Sequence, residues 1–268
     1  MRPCDRALAQ RLELHEAHSN ADYVTALRAD NPASSADALW IADGVAISTG
    51  VGIPASGAYG IGSTTNPVAI DAIAAIEAFY AEHGIPARIE VTPFTQPSVL
   101  ATLGRGEWRI ERFTNVWLRA IVLADGESPP AVVGITTRHA HADEADQWAE
   151  VAANASTVGS ARSGIQTLAR ATFHRPDVTP WVAISGEQII GTAAMLIRDR
   201  LATLFFMSTL PDQRGRGVQA ALLSARLAQA ASAGCDSACI SAVPGGNSER
   251  NIARAGFTLI YTKLCFTC

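Results

Sequence analysis

Lysine is almost missing from this sequence: Lys263 is the only one, and every other basic side chain is an arginine. That bias reads as codon composition and carries no function by itself. Long apolar runs are missing too. The longest, such as Leu201 to Met207, fall far short of the roughly 20 residues that cross a bilayer, so no membrane span is expected. At the N-terminus Arg2, Asp5, Arg6 and Arg11 interrupt the apolar residues, and no signal-peptide core can be drawn. Cysteine is scarce and odd in number: five in the chain make no disulfide scaffold and leave at least one thiol unpaired. A cytoplasmic protein is expected. Charged residues are only 17% of the chain and the net charge is -4 at pH 7, which excludes the basic surface of a nucleic-acid binder. With 48% hydrophobic residues, the chain has what a packed globular core requires.

At 268 residues the length suggests just under two domains. Ser128, Pro129 and Pro130, behind an Asp125-Gly126 turn signal, make Glu127 to Ala131 the best linker, dividing the chain nearly in half. In the first half a helix pattern over 69–82 ends at Gly84. A strand pattern over 87–91, Pro93, a short helix over 98–103, Gly106 and a strand over 108–118 follow. The second half repeats this order with a helix over 219–233, Gly234, a strand over 238–243, Pro244, a helix over 248–255, Gly256 and a strand over 257–266. Gly84 and Gly106 are 22 residues apart, as are Gly234 and Gly256, so the halves superpose at an offset of about 150. The expected fold is α/β, with two similar domains over 1–126 and 131–268, each a mixed, mostly antiparallel sheet flanked by helices.

The chemistry-bearing stretch follows an antiparallel meander. Strands over 181–184 and 188–196 are joined at Ser185-Gly186, and a turn at Arg198-Asp199-Arg200 leads into a third strand over 201–208. The third strand ends in Thr209-Leu210-Pro211-Asp212-Gln213-Arg214-Gly215-Arg216-Gly217-Val218-Gln219-Ala220 and runs straight into a helix. Glycines let backbone approach an anion, amides at a helix start donate to it, and Arg214 and Arg216 add positive charge. No Lys-Ser/Thr follows the glycines as a P-loop requires, and no G-x-G-x-x-G fingerprint follows the strand.

Arg214-Gly215-Arg216-Gly217-Val218-Gln219 resembles the pyrophosphate loop R/Q-x-x-G-x-G/A of the GCN5-related N-acetyltransferases (GNAT). Thr209-Leu210-Pro211 is similar to that family's strand-end Val-x-Pro, and Ala255-Gly256-Phe257 to its terminal Gly-Phe; the resemblance covers about 131–268. It implies acetyl-CoA as co-substrate, held by Arg214, Gly215, Arg216, Gly217, Val218, Gln219 and Ala220, with Asn251 or Asn247 as a polar contact. It further implies that the backbone of Met207 and Thr209 pairs with the pantetheine arm and polarises the thioester carbonyl. A neutral amine, from a small molecule or a protein, would attack the thioester directly in a ternary complex.

Two departures matter. Gln219 stands where the family has Gly or Ala, and the family's asparagine and its acid tyrosine correspond to Gly245 and Ile252. Tyr261 is a phenol that could act as acid, and Glu187, Asp199, Asp212 and His174 are the choices for the base. The missing tyrosine leaves a second reading open, a non-catalytic acyl-CoA-binding sensor. A homodimer is compatible with either.

At the 150-residue offset Thr64, Thr65, Asn66, Pro67 and Val68 face Arg214 to Val218, with Pro67 opposite Gly217. Proline has no amide hydrogen and a fixed φ, and the arginines are gone, so the N-terminal copy is expected to keep the fold without binding coenzyme A. The glycine-dense Gly57 to Gly62 reads as strand and hairpin. His139-Ala140-His141-Ala142-Asp143-Glu144 reads as a polar entry to a helix over 143–154, and the cysteine pairs Cys235/Cys239 and Cys265/Cys268 as buried strand thiols and a chain end, not metal ligands.

Overall fold

A computed structural model describes residues 4–69, 71–122, 125, 132–154 and 160–268. The linker expected at Glu127 to Ala131 and the domain limits 126 and 131 lie outside the described residues. The chain forms two compact units, Met1–Asn115 with Ile260–Cys268, and Val116–Leu259.

In chain order the elements of the first unit are α1 (Arg6–Asp30), β1 (Asp37–Ile41), β2 (Gly44–Ser48), β3 (Gly57–Tyr59), α2 (Ala72–Glu82), β4 (Arg88–Val91) and α3 (Pro97–Leu103). Then comes β5 (Arg109–Ala120), whose residues from 116 onward belong to the second unit. The second unit continues with β6 (Thr136–His139), α4 (Ala145–Asn154), α5 (Ser160–Phe173), β7 (Val178–Ser185), β8 (Gln188–Arg198) and β9 (Leu201–Thr209). It closes with α6 (Val218–Ser232), β10 (Ser237–Ala242), α7 (Asn247–Arg254) and the start of β11 (Thr258–Thr267).

The end of β11 lies in the first unit, where Leu264, Cys265, Phe266 and Thr267 pair antiparallel with Val91, Glu90, Ile89 and Arg88. The expected domain 131–268 therefore loses its last nine residues. Ladder hydrogen bonds assign a strand to a sheet whatever its position in the chain, and linker composition cannot reveal that. Around β4 and the end of β11, Ile73, Ile76, Tyr80, Ile89 and Leu103 form the core of the first unit.

From β3 onward the two halves correspond at the offset of about 150, with α2, β4, α3 and β5 answering α6, β10, α7 and β11. The helix ends match in detail: the Ile85 amide donates to the Tyr80 carbonyl as the Cys235 amide does to that of Ala230. Gly106 and Gly256 do not match. Gly256 has φ +82 and lies two residues after the end of α7, whereas Gly106 lies three residues after the end of α3 and has no positive φ. Gly57 to Gly62 is a strand and turn, as read, with β3 antiparallel to β2.

In the second unit the meander β6-β7-β8-β9 is antiparallel and β10 joins β9 in parallel. One face carries Trp148, Ala169 and Phe173 of α4 and α5, and the other Leu222, Leu223 and Leu227 of α6. Gly191 on β8 sets how closely α6 approaches: a Cβ there would lie 2.5 Å from Val218 Cγ1 and 3.0 Å from the Ser208 carbonyl oxygen. Only glycine lets the helix start seat on the strand.

Candidate functional site

The site begins where β9 stops being a regular strand. Against β8, Ser208 pairs with Thr192 and Phe205 with Ala194, so three steps on β9 oppose two on β8. This is a β-bulge. Its extra residue, Phe206, has φ +48, a conformation that a bulky residue adopts only under constraint. Phe205 and Phe206 consequently both pack toward α4 and α5, while Met207 turns to α6.

On its other side β9 pairs with β10 only through Leu201, Ala202 and Thr203. Both strands continue, to Thr209 and Ala242, with no further ladder pair between them among the described residues. The splay leaves an edge of β9 backbone beside Met207 and Thr209. Thr209 Oγ1 is buried and has no partner. A buried hydroxyl without a partner is rare enough to need an account.

After Thr209, the Leu210 amide returns to the Ile190 carbonyl at 3.0 Å and Pro211–Gln213 make one tight turn. Arg214 is extended, while Gly215 and Gly217 have φ +78 and +86. Among the described residues no amide from 215 to 220 donates to a backbone carbonyl; the first bond into the helix is Ala221 N–H to Gly217 C=O at 3.0 Å. Six successive amides are therefore left without a described backbone acceptor around a left-handed turn at the start of a 15-residue helix, an arrangement that can cradle an anion. Arg214 and Arg216 are exposed beside it, with Arg216 bonded to the Gln213 side chain. Gln219 accepts from Asn251 Nδ2 at 2.6 Å, so its side chain is held by α7 and its amide stays in the cradle.

The sequence model of the acetyltransferase (GNAT) family matches residues 145–257. These residues form a GNAT domain. The match spans the meander, the cradle, α6, β10 and α7. No curated protein matches the chain. Among solved structures, a GCN5-related N-acetyltransferase from Kribbella flavida is 17% identical with TM-score 0.70, covering 97% of this chain and 95% of that one. A functionally unknown conserved protein from Staphylococcus epidermidis is 11% identical, with TM-score 0.59 and coverage of 80% and 84%. A tandem GNAT protein from the clavulanic acid biosynthesis pathway is 11% identical, with TM-score 0.56 and coverage of 72% and 66%. At these identities the likeness is one of fold: two-domain GNAT architecture.

The two positions that the resemblance singled out, Gly245 and Ile252, carry neither an amide side chain nor a phenol. Ile252 is buried in the core under α6. Gly245 lies in an exposed turn, its amide donating to Glu249 Oε2 at 2.7 Å. Tyr261 needs correction as a candidate acid. It belongs to the first unit, is buried, and donates its phenol proton to Glu13 Oε1 at 2.7 Å. Burial pushes the phenol far up, with the Glu13 charge adding to it, so Tyr261 is employed in a core network. Of the base candidates, Asp199 sits in the turn before β9, at the opposite end of the strand from the cradle, whereas Asp212 lies in the turn that enters it. Glu187 is exposed between β7 and β8, and His174 is exposed just after α5. Sequence reasoning missed Glu249, which accepts from Trp117 Nε1 at 3.3 Å as well as from Gly245. Glu144 joins a capping box with His141 and a two-pronged pair with Arg138, which holds its carboxyl down at about 2. Among the described residues no group of three or more His, Cys, Asp or Glu could hold a metal ion, and the cysteines form no disulfide.

The corresponding loop of the first unit is built differently. Asp43 Oδ2 accepts from Thr64 Oγ1 at 2.7 Å and Asn66 Nδ2 at 2.6 Å, and Gln96 Nε2 donates to the Thr64 carbonyl at 2.9 Å. Helix α2 starts at Ala72, a full turn later than the offset from α6 requires.

Proposed function

We propose that the GNAT domain binds acetyl-CoA and transfers its acetyl group to a primary amine by direct attack within a ternary complex. The observation that carries the reading is the continuity of three features on one strand: the bulge at Phe206, the unpaired splay through Thr209, and the amide cradle from 215 to 220. The residues fit the cofactor. A pyrophosphate needs donors and positive charge, which the cradle amides, Arg214 and Arg216 supply. A pantetheine arm carries amide groups that pair with strand backbone, which β9 offers beyond Thr203. Thr209 Oγ1 then gains the partner it lacks. Bound acetyl-CoA supplies an activated thioester. The chain holds that carbonyl against the Met207 backbone, so that donors already in position meet the charge developing on oxygen. The amine must shed a proton before attack, and Asp212, at the entry to the cradle, is the nearest of the four candidates along the chain.

In the N-terminal unit the same reading assigns fold without coenzyme A binding. Pro67 removes the donor that Gly217 provides, the Asp43 carboxylate inside the loop repels an anion, and the late start of α2 withdraws the helix dipole.

A second reading is favoured by Ile252 and by the engagement of Tyr261 with Glu13: a non-catalytic acyl-CoA sensor. Thiol release from acetyl-CoA against a panel of amines separates the two. The transferase reading predicts acceptor-dependent release; saturable acetyl-CoA binding with no release for any amine would support the sensor.

A further inference from the structure

Arg226 lies in the second half of α6 with no exposed surface. Its Nε donates to the Leu222 carbonyl in the same helix at 3.0 Å, and Nη1 donates to the Ala194 carbonyl on β8 at 3.0 Å. Nη2 lies 3.0 Å from Met207 Sδ on β9. A thioether is a weak acceptor, and among the described residues no carboxylate neutralises the guanidinium. Burial alone pushes it down to about 9, so it stays charged at neutral pH.

The cost of that arrangement is hard to explain by packing. Burying an unpaired cation is expensive, and an apolar side chain of similar length would fill the space without the penalty. The contacts suggest what is gained. Ala194 stands opposite Phe205 and Met207 follows Phe206, so one guanidinium touches both strands that make the bulge.

We propose that Arg226 is a positioning residue for acyl transfer, which fixes the β8–β9 bulge and sets a positive charge behind Met207, where the thioester carbonyl is polarised. The role rests on the acetyl-CoA reading above. Arg226 neither touches the thioester nor exchanges a proton. Its field acts through a poorly screened interior on the charge that grows on the carbonyl oxygen. Because the same helix begins at the cradle, the pyrophosphate contact and the bulge are set by one rigid element.

The test is isotope-edited infrared spectroscopy of [1-13C]acetyl-CoA bound to the full chain, with affinity measured by calorimetry. In the wild type the carbonyl stretch is expected below its free-solution position. Arg226→Met is expected to move it back toward that position with affinity kept within about threefold, and to lower kcat about tenfold with KM for acetyl-CoA unchanged. Arg226→Lys, which keeps the charge, should retain part of the shift. If Arg226→Met fails to fold by near-UV circular dichroism, Arg226→Gln makes the same neutral comparison. An identical stretch in the wild type and a folded neutral variant overturns the role of Arg226 while leaving the acetyl-CoA site standing. A wild type that binds no acetyl-CoA overturns the site itself, and the role with it.

Discussion

At the residue scale the account depends on a few side chains whose absence or presence is chemical. Gly217 has φ +86, and a Cβ there would lie 3.2 Å from Val132 Cγ1. Gly217→Ala should therefore cost about 1–2 kcal/mol of stability and, by turning the cradle amides, weaken acetyl-CoA binding at least tenfold in calorimetry. Arg214→Ala and Arg216→Ala should each weaken it about tenfold, with a shallower salt dependence, because charge-assisted bonds to phosphate are lost. In the first unit, Glu13 is buried beside Lys263 and Tyr261, and burial raises its carboxyl to about 7 although Lys263 pulls the other way. The folded state then keeps a proton that the unfolded chain releases near 4.5, so this group makes stability fall as pH rises from about 4.5 to about 7. Glu13→Gln should lack that decline. Its unfolding free energy relative to wild type should rise across the same window, by an amount on the order of 1–3 kcal/mol, and a constant difference would refute the shift.

At the element scale the helices and strands from α2 to β5 and from β7 to β11 were legible in the sequence, because apolar periodicity, glycine stops and prolines agree there. The cradle was legible for the same reason: Arg214, Gly215 and Gly217 sit between a strand and a helix. Helix α1 was not, since Glu13, His15 and Ser19 are buried on its inner face and break the apolar pattern. The bulge at Phe206 was not either, because an extra residue in a strand leaves no mark in an apolar run such as Leu201 to Met207. Nor could the sequence show Arg226, whose meaning comes only from contacts across β8 and β9. Gly191 joins these elements. Gly191→Ala would drive a Cβ into Val218 and should cost about 1–3 kcal/mol by denaturant unfolding, with reduced acetyl-CoA affinity because the start of α6 is displaced.

At the scale of the whole molecule the two units share an order of elements and differ in what their loops present. In one, six amides around Gly217 have no described backbone acceptor; in the other, Pro67 and Asp43 occupy the corresponding place. The C-terminal residues Ile260–Cys268 pair into the first unit, so a fragment ending near residue 125 would lack one of its strands, and the comparison must be made on the intact chain. Among the described residues no helix is long and apolar enough to cross a membrane. The claim that unites these observations is one coenzyme A site per chain, at the start of α6. Calorimetric titration of the full chain with acetyl-CoA tests it most directly. One site per chain, lost in Gly217→Ala, is the predicted result; two sites, or undiminished binding in a folded Gly217→Ala variant, would contradict it.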